Sequence, residues 1–174
     1  MKSAELPGDA STLIYLAKAD AFTDARSCID GILVPPSVWR EAVEDGERFS
    51  YPDVPRIRAA AEDGFVSRVE LDDAAQALAG TLATEHRLGV GESEVLALGR
   101  GGGRALVDDG RAARVASALG VVPASTLFLP VLGCRRGGLG QAAAIDFLRR
   151  LAIVTGARAE TVFEIERFIE EVTR

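Results

Sequence analysis

The chain has 174 residues, 48% hydrophobic and 26% charged, a composition typical of one globular domain rather than of a disordered or fibrous protein. Its 26 acidic residues outnumber its 20 lysines and arginines, and the resulting net charge of −6 provides no overall positive field for a polyanion. This charge excludes a protein that attracts nucleic acid through its net charge, so any nucleic-acid site must depend on local features.

Cysteine and histidine usage argues against a disulfide framework and a zinc site. Cys28 and Cys134 have no CxxC spacing, and His86 is the single histidine. Residues 1–11 lack the apolar core of a signal peptide, so we expect a cytoplasmic protein. The uncharged stretch 115–134 has the length of a membrane span, but its prolines, glycines and hydroxyl residues predict a helix, a strand and a helix within a core.

The first elements surround Asp9. A helix is expected directly after this residue, with Ser11 or Thr12 as its cap. The segment before Asp9 contains Pro7, which cannot donate a hydrogen bond within a central strand, so a strand at this position is in doubt.

Short apolar runs then alternate with segments at helical spacing, the pattern of an α/β fold with a mostly parallel sheet. Apolar runs predict strands at residues 31–34, 64–71, 104–107 and 121–122. Helical spacing predicts helices at residues 38–46, 54–63, 72–87, 91–100, 111–120 and 126–137. Gly46 is expected to end the first of these helices, and Gly89 and Gly91 to end the third, before the fourth begins. We expect one domain over residues 1–174, with a core at about 9–139 and a C-terminal extension of two helices at about 141–174.

Four acidic residues follow strands or lie near the starts of helices: Asp9, Glu41, Glu92 and Asp108. Ligands of open parallel sheets bind at the carboxyl ends of strands, where helix N-termini also point, so these acids are candidates for one site. Like charges held together repel unless cations neutralise them, and Mg²⁺ and Mn²⁺ prefer carboxylate and water oxygens. The alternative is that these acids solvate the surface or cap helices, as most acids do.

Two of these acids have acidic neighbours that compete for the same role. Glu92 and Glu94 lie about 200° apart around a helix, so one of them faces the site, and we favour Glu92 because it is nearer the helix start. Glu94 then becomes a supporting partner or a solvent-facing residue. Strand alternation sends Asp108 and Asp109 to opposite faces, and we expect Asp109 to stabilise the N-terminus of the following helix.

Four motifs resemble those of the PIN-domain nucleases, which include the VapC toxin ribonucleases of toxin–antitoxin pairs. They are GDASTLIYLAKAD, VPPSVWREAV, GVGESEVLALG and LVDDGRAARVASALGV, and the later STLFLPVLGCRRGGL is similar to a stretch of one PIN-like branch. The resemblance implies a three-layer α/β/α fold with a central, mostly parallel sheet and extra C-terminal helices. It also implies metal-binding and catalytic roles for Asp9, Glu41, Glu92 and Asp108, with Ser11 as a supporting polar group.

The function implied by this resemblance is endoribonuclease action dependent on Mg²⁺ or Mn²⁺. A toxin of this kind has an RNA substrate, an antitoxin partner and a homodimeric assembly. Arg135 and Arg136 are candidates for contact with an RNA backbone, or else form a solvated helix end. Trp39 is expected in the core or a dimer contact rather than under a base.

Two other functions are compatible with the same residues. A PIN-like interaction protein would keep the fold with a relaxed site, and a metal-dependent phosphatase would use the same acids on small phosphomonoesters. Cation-dependent cleavage of RNA separates the nuclease from the interaction protein, and a comparison of RNA with a nucleotide phosphate separates it from the phosphatase.

Overall fold

The structure, a computed structural model, describes residues 5–174. The expectation about a signal peptide rests in part on residues 1–4, which lie outside the described residues. Short parallel strands occupy the centre of the described chain: β1 (Glu5–Pro7), β2 (Gly31–Val34), β3 (Val66–Arg68), β4 (Arg104–Leu106) and β5 (Val122–Ala124). Helices connect all of them, as the alternating pattern predicts.

The first half of the described chain contains the helices α1 (Ala10–Lys18), α2 (Phe22–Arg26), α3 (Pro36–Trp39), α4 (Gly46–Arg48), α5 (Val54–Glu62) and α6 (Asp73–Glu85). The second half contains α7 (Val90–Leu98), α8 (Gly110–Ala118), α9 (Leu129–Arg135), α10 (Gln141–Thr155) and α11 (Ala159–Val172). A π-helical turn at Arg40–Asp45 joins α3 to α4, and a 3-10 turn at Thr126–Phe128 precedes α9.

The strands form two groups that are linked at one point. β1, β2 and β3 are neighbours in that order, and β4 pairs with β5. A parallel bridge between Gly8 and Leu106 connects the groups, which gives the order β3-β2-β1-β4-β5. Helices flank this sheet, and the predicted α/β/α fold with a mostly parallel sheet is confirmed.

The strand before Asp9 exists despite Pro7, and the position of the proline explains why it is tolerated. Gly8 N donates to Leu33 O on β2 (3.0 Å), whereas Asp9 N donates to Leu106 O on the β4 side (3.3 Å). Successive residues of a strand donate to opposite sides, so the missing N–H of Pro7 faces β4. The β1–β2 ladder is therefore intact, and the β1–β4 pairing is reduced to the bridge at Gly8.

Several predicted boundaries are wrong for local reasons. Gly46 does not end its helix, because the π-helical turn passes directly into α4. Gly89 lies between α6 and α7 as expected, as the N-cap of α7, whereas Gly91 lies in the first turn of α7. Asp9, and not Ser11 or Thr12, caps α1, since its side chain accepts the hydrogen bond from Thr12 N. The short helix α2 has no counterpart in the predicted elements.

The C-terminal helices take part in the core. Phe147 and Leu151 of α10 are fully buried in the main hydrophobic cluster, together with Leu13 and Leu16 of α1. A second cluster joins α9, α10 and α11, and includes Val131, Cys134, Ala144, Leu148, Ile165 and Ile169. Within residues 5–174, no helix combines the length and apolar composition needed to cross a membrane.

Candidate active site

Asp9 lies where β1 passes into α1. Its Oδ1 accepts a hydrogen bond from Thr12 N (2.8 Å), the usual role of an aspartate at a helix N-cap, and its Oδ2 lies 3.5 Å from Asp108 N. Asp9 is only 5% exposed. The chain thus places one carboxylate, held by backbone groups, below the surface at the carboxyl end of the sheet.

Asp108 lies at the same end, after β4, and hydrogen bonds fix its carboxylate. Oδ1 accepts from Ser125 Oγ (2.6 Å) and Thr126 N (2.9 Å), and Oδ2 accepts from Thr126 Oγ1 (2.5 Å). The two threonine hydroxyls, Thr126 Oγ1 and Thr12 Oγ1, are 3.0 Å apart. This network connects the end of β4 to the 3-10 turn and to α1, and so keeps Asp108 beside Asp9.

Glu41 and Glu92 complete the acidic group from two helical segments. Glu41 belongs to the π-helical turn, and Glu92 is the third residue of α7, where its Oε2 accepts from Gly89 N (2.9 Å). A cleft of about 180 Å³ is lined by Asp9, Ala10, Ser11, Val38, Glu41, Gly89, Val90, Gly91 and Glu92. The structure therefore brings three predicted acids to one cleft, together with Ser11, while the Asp108 carboxylate points toward Ser125 and Thr126.

Gly91 permits the close approach of these elements. A Cβ at this position would lie 3.0 Å from Val38 Cγ2 and 3.8 Å from Glu41 Oε2. Any larger residue would therefore push α7 away from α3 or extend into the space between Glu41 and Glu92. The Gly-Glu pair at 91–92 serves this geometry as well as the helix start.

Without a bound cation, the negative charges of the carboxylates in the cleft are destabilised by burial and by mutual repulsion. Burial raises the pKa of Asp9 to about 6, with a further contribution from the charge on Asp108, against the opposing hydrogen bond from Thr12. Desolvation in the cleft and repulsion from Glu92 and Asp45 raise the pKa of Glu41. Among the described residues, no lysine, arginine or histidine forms an ion pair with Asp9, Glu41, Glu92 or Asp108.

The donor set suits one type of metal. Within residues 5–174, no three acidic, histidine or cysteine side chains lie close enough to enclose a metal ion. Mg²⁺ rarely needs such an enclosure, since it keeps several waters and is usually held by one or two carboxylates and the substrate. An all-oxygen cleft with a buried, unpaired Asp9 fits a hydrated Mg²⁺ or Mn²⁺ and lacks the nitrogen and sulfur ligands that zinc prefers.

The family profile described as a PIN domain matches residues 8–164, a segment that contains all four acids. The chain belongs to the PIN-domain family. No curated protein and no solved structure gives a significant match to this sequence. PIN domains are typically nucleases and generally use divalent metals, so the family and the oxygen-rich cleft agree in the chemistry they indicate.

The acidic neighbours in this PIN domain have structural partners. Glu94 accepts hydrogen bonds from Ser37 N (3.0 Å) and Ser37 Oγ (2.8 Å), and so caps α3 rather than facing the cleft. Asp109 caps α8 by accepting from Arg111 N (2.7 Å) and Ala112 N (2.9 Å), and the Ala112 bond is the main cause of its lowered pKa.

Arg135 and Arg136 lie at the opposite end of the sheet from the acids of the PIN domain. Arg136 donates to Cys28 O (3.1 Å) and to Asp30 (2.5 Å), which precede β2, and both arginines line a cavity with Arg104 at the start of β4. Neither arginine is brought to the acidic cleft. Trp39 is buried beneath the guanidinium groups of Arg58 and Arg68, as expected for a core residue.

Sequence reasoning missed the hydroxyl residues that hold Asp108 in this PIN domain. Ser125 and Thr126 are 17 and 18 residues away along the chain, and the contact requires β4 and β5 to be neighbours. The motif STLFLPVLGCRRGGL begins with both residues, but only the folded structure shows that they hydrogen-bond to Asp108.

Proposed function

We propose that this PIN domain is an endoribonuclease dependent on Mg²⁺ or Mn²⁺, which hydrolyses RNA phosphodiester bonds at the cleft formed by Asp9, Glu41 and Glu92, with Asp108 beside it. The observation that carries the proposal is the state of Asp9. This carboxylate is buried, has a raised pKa and no ion pair within residues 5–174, and shares its cleft with two further acids. Such a group is costly unless a cation compensates for it.

Each acid has a distinct part in this proposal. Asp9, Asp108 and Glu92 are held by hydrogen bonds and would keep fixed positions as ligands, whereas Glu41 reaches the cleft on a longer side chain and would adjust to the cation and its waters. When bound, the cation would activate a water and neutralise charge on the leaving oxygen. The raised pKa of Glu41 suits its carboxylate to accept the proton of the attacking water.

The biological role we propose is that of a cytoplasmic toxin restrained by an antitoxin protein, and assembled as a homodimer. Its support is the similarity of the four acidic motifs to VapC toxin ribonucleases. Exposed apolar residues lie on α10 and α11, namely Ile153, Phe163 and Phe168, and each is a candidate for contact with a protein partner. An antitoxin-like reading frame beside the gene and a dimeric mass by light scattering are the expected observations; a monomer with no such neighbour would contradict this role.

A second candidate function is an interaction protein that retains the PIN fold. The hydrogen bonds of Asp108 to Ser125 and Thr126, and of Glu92 to Gly89, favour it, because they satisfy both carboxylates without a cation. In that case the acids would be structural, and exposed residues such as those of α10 and α11 would carry the function.

An RNA cleavage assay separates these functions. Wild-type protein is incubated with structured RNA in Mg²⁺, Mn²⁺ or EDTA, beside Asp9→Asn and the control Glu164→Gln, which neutralises an exposed acid of α11. We expect cleavage only with a divalent cation, its loss in Asp9→Asn and its retention in Glu164→Gln. Cleavage in EDTA, or none under any condition, would contradict the proposal, and release of phosphate from a nucleotide without RNA cleavage would identify a phosphatase.

A further inference from the structure

A second and larger cavity adjoins the acidic cleft. It has a volume of about 620 Å³, and Glu41 lines both spaces. Phe49 and Tyr51 lie on its rim, 61% and 56% exposed, with ring centroids 5.9 Å apart and planes inclined by 30°. Two neighbouring aromatic rings are thus presented to solvent beside the site at which we place RNA cleavage.

Hydrogen bonds and close packing fix the conformation of the turn that carries these rings. Ser50, between them, has a φ of 56°, a left-handed conformation that a non-glycine residue adopts only when its surroundings require it. Tyr51 N donates to Gly46 O (2.8 Å) and Ser50 N to Glu47 O (2.9 Å). A Cβ on Gly46 would lie 2.6 Å from Val54 Cγ2, so α4 and α5 are in close contact beneath the turn. The fold therefore holds both rings outward.

The charges around this cavity distinguish a base from a phosphate. Lys18 lines it and lies 3.9 Å from Asp53, and Arg48 stacks over Phe49 with 5.8 Å between its guanidinium carbon and the ring centroid. The acids Asp45 and Asp53 also line the cavity and would repel a phosphate. Its aromatic rim therefore suits an uncharged planar base rather than a phosphate.

We propose that Phe49 and Tyr51 form a stacking platform for an unpaired base of the RNA strand whose phosphodiester lies in the acidic cleft. This inference rests on the proposed nuclease function. Bases stack on aromatic side chains with little dependence on sequence, and a cavity of this volume is in the range that holds small organic ligands. The platform would select single-stranded over paired RNA, because a base within a duplex has no free face.

Binding measurements test the platform directly. Fluorescence anisotropy with a labelled single-stranded oligouridylate of about 12 nucleotides, in Ca²⁺ to suppress hydrolysis, compares wild type with Phe49→Ala and Tyr51→Ala. Each variant should bind about 5- to 150-fold more weakly, the range expected for loss of one base–aromatic stack. Tyr51→Phe, which keeps the ring, should bind like wild type, and wild type should bind an abasic strand of equal length as weakly as the alanine variants do.

The control is Val122→Ala, which shortens another exposed apolar side chain (50%), on β5, and should leave binding unchanged. Because Phe49 and Tyr51 are exposed, the alanine variants should keep the wild-type melting temperature. In Mg²⁺, Phe49→Ala should raise KM for single-stranded RNA and leave kcat near wild type. Wild-type affinity in both alanine variants, with wild-type cleavage intact, would overturn the platform alone. Absence of both binding and cleavage in wild type would overturn the platform and the nuclease together.

Discussion

The acidic residues at the two ends of the sheet differ in whether they form ion pairs. At the amino ends of the strands and around α2, three aspartates each have an arginine: Asp24 with Arg150 (2.8 Å), Asp30 with Arg136 (2.5 Å) and Asp63 with Arg26. At the carboxyl ends, Asp9, Glu41, Glu92 and Asp108 have no ion pair within the described residues. The chain therefore has arginines that pair with acids and does not place them at the cleft.

This difference supports the proposal that the acids at the carboxyl ends receive positive charge from a bound cation. The acids at the amino ends are neutralised by the fold, so changes there should affect stability. We propose that a bound cation neutralises the acids at the carboxyl ends, so changes there should affect activity and can even stabilise the cation-free protein. The following variants test this contrast, from the largest expected effect to the smallest.

Asp108→Asn should lower cation-dependent RNA cleavage by at least about 100-fold, because it removes a charge beside Asp9. The fold should persist, since an amide can still accept from Ser125 and Thr126 N and donate to Thr126 Oγ1. Cleavage rates and melting temperatures measured beside Asp109→Asn, which keeps a good helix cap and should stay active, check this. Full activity in Asp108→Asn would remove this residue from the site.

Glu92→Gln should abolish cleavage, whereas Glu94→Gln should only reduce it. Glu92 lines the cleft. Glu94 caps α3 through Ser37, so Glu94→Gln should mainly lower the free energy of unfolding, by about 1 kcal/mol. Cleavage assays and urea unfolding of both variants measure the two effects. The reverse order of activities would show that Glu94 is the acid that acts in the cleft.

Asp9→Asn should stabilise the cation-free protein at neutral pH. The folded-state pKa of Asp9, about 6, lies above the ordinary value of 3.8, so folding favours the protonated carboxyl and wild-type stability from this group is lost as pH rises through that window. Asparagine does not titrate, so the stability of Asp9→Asn does not fall in this way as the pH rises. Urea unfolding in EDTA should show the stability of Asp9→Asn, relative to wild type, rising by on the order of 2 kcal/mol between pH 4 and pH 7.5. If the stability difference between Asp9→Asn and wild type does not change with pH, the pKa of Asp9 is not raised in the folded state.

Arg136→Ala should have the smallest effect. It breaks the ion pair with Asp30 and the hydrogen bond to Cys28 O at the amino ends of the strands, and should lower the free energy of unfolding by about 0.5–1 kcal/mol without changing RNA cleavage. Thermal melts and cleavage rates measure both. A large loss of cleavage with little loss of stability would show that RNA reaches the amino ends and would restore Arg136 as an RNA contact.

Much of this arrangement follows from periodicity and from the order of elements. The start of α1 after Asp9, the distinct environments of Glu92 and Glu94, and the helix after Asp109 are local features, and local patterns predict them. The α/β alternation likewise predicts the parallel sheet and the edge at which the acids meet.

The remaining features depend on contacts between distant residues. Ser37 and Glu94, which are joined by a hydrogen bond, are 57 residues apart in the sequence. Whether the missing N–H of Pro7 faces β2 or β4 depends on which strands flank β1. The π-helical turn that carries Glu41 replaces the end expected at Gly46, because helix ends are weakly specified by single glycines. A sequence pattern specifies a face or an end of an element, whereas its partners are set by the packed fold.

The most direct test of the account is calorimetric titration of the protein with Mn²⁺, comparing wild type, Asp9→Asn and Glu164→Gln. We predict binding to wild type and Glu164→Gln and its loss in Asp9→Asn, because Asp9 is the buried ligand of the proposed site and Glu164 is an exposed residue of α11. Undiminished Mn²⁺ binding in Asp9→Asn, or no binding to wild type, would contradict the claim that the unpaired acids at the carboxyl ends of the strands form a metal site.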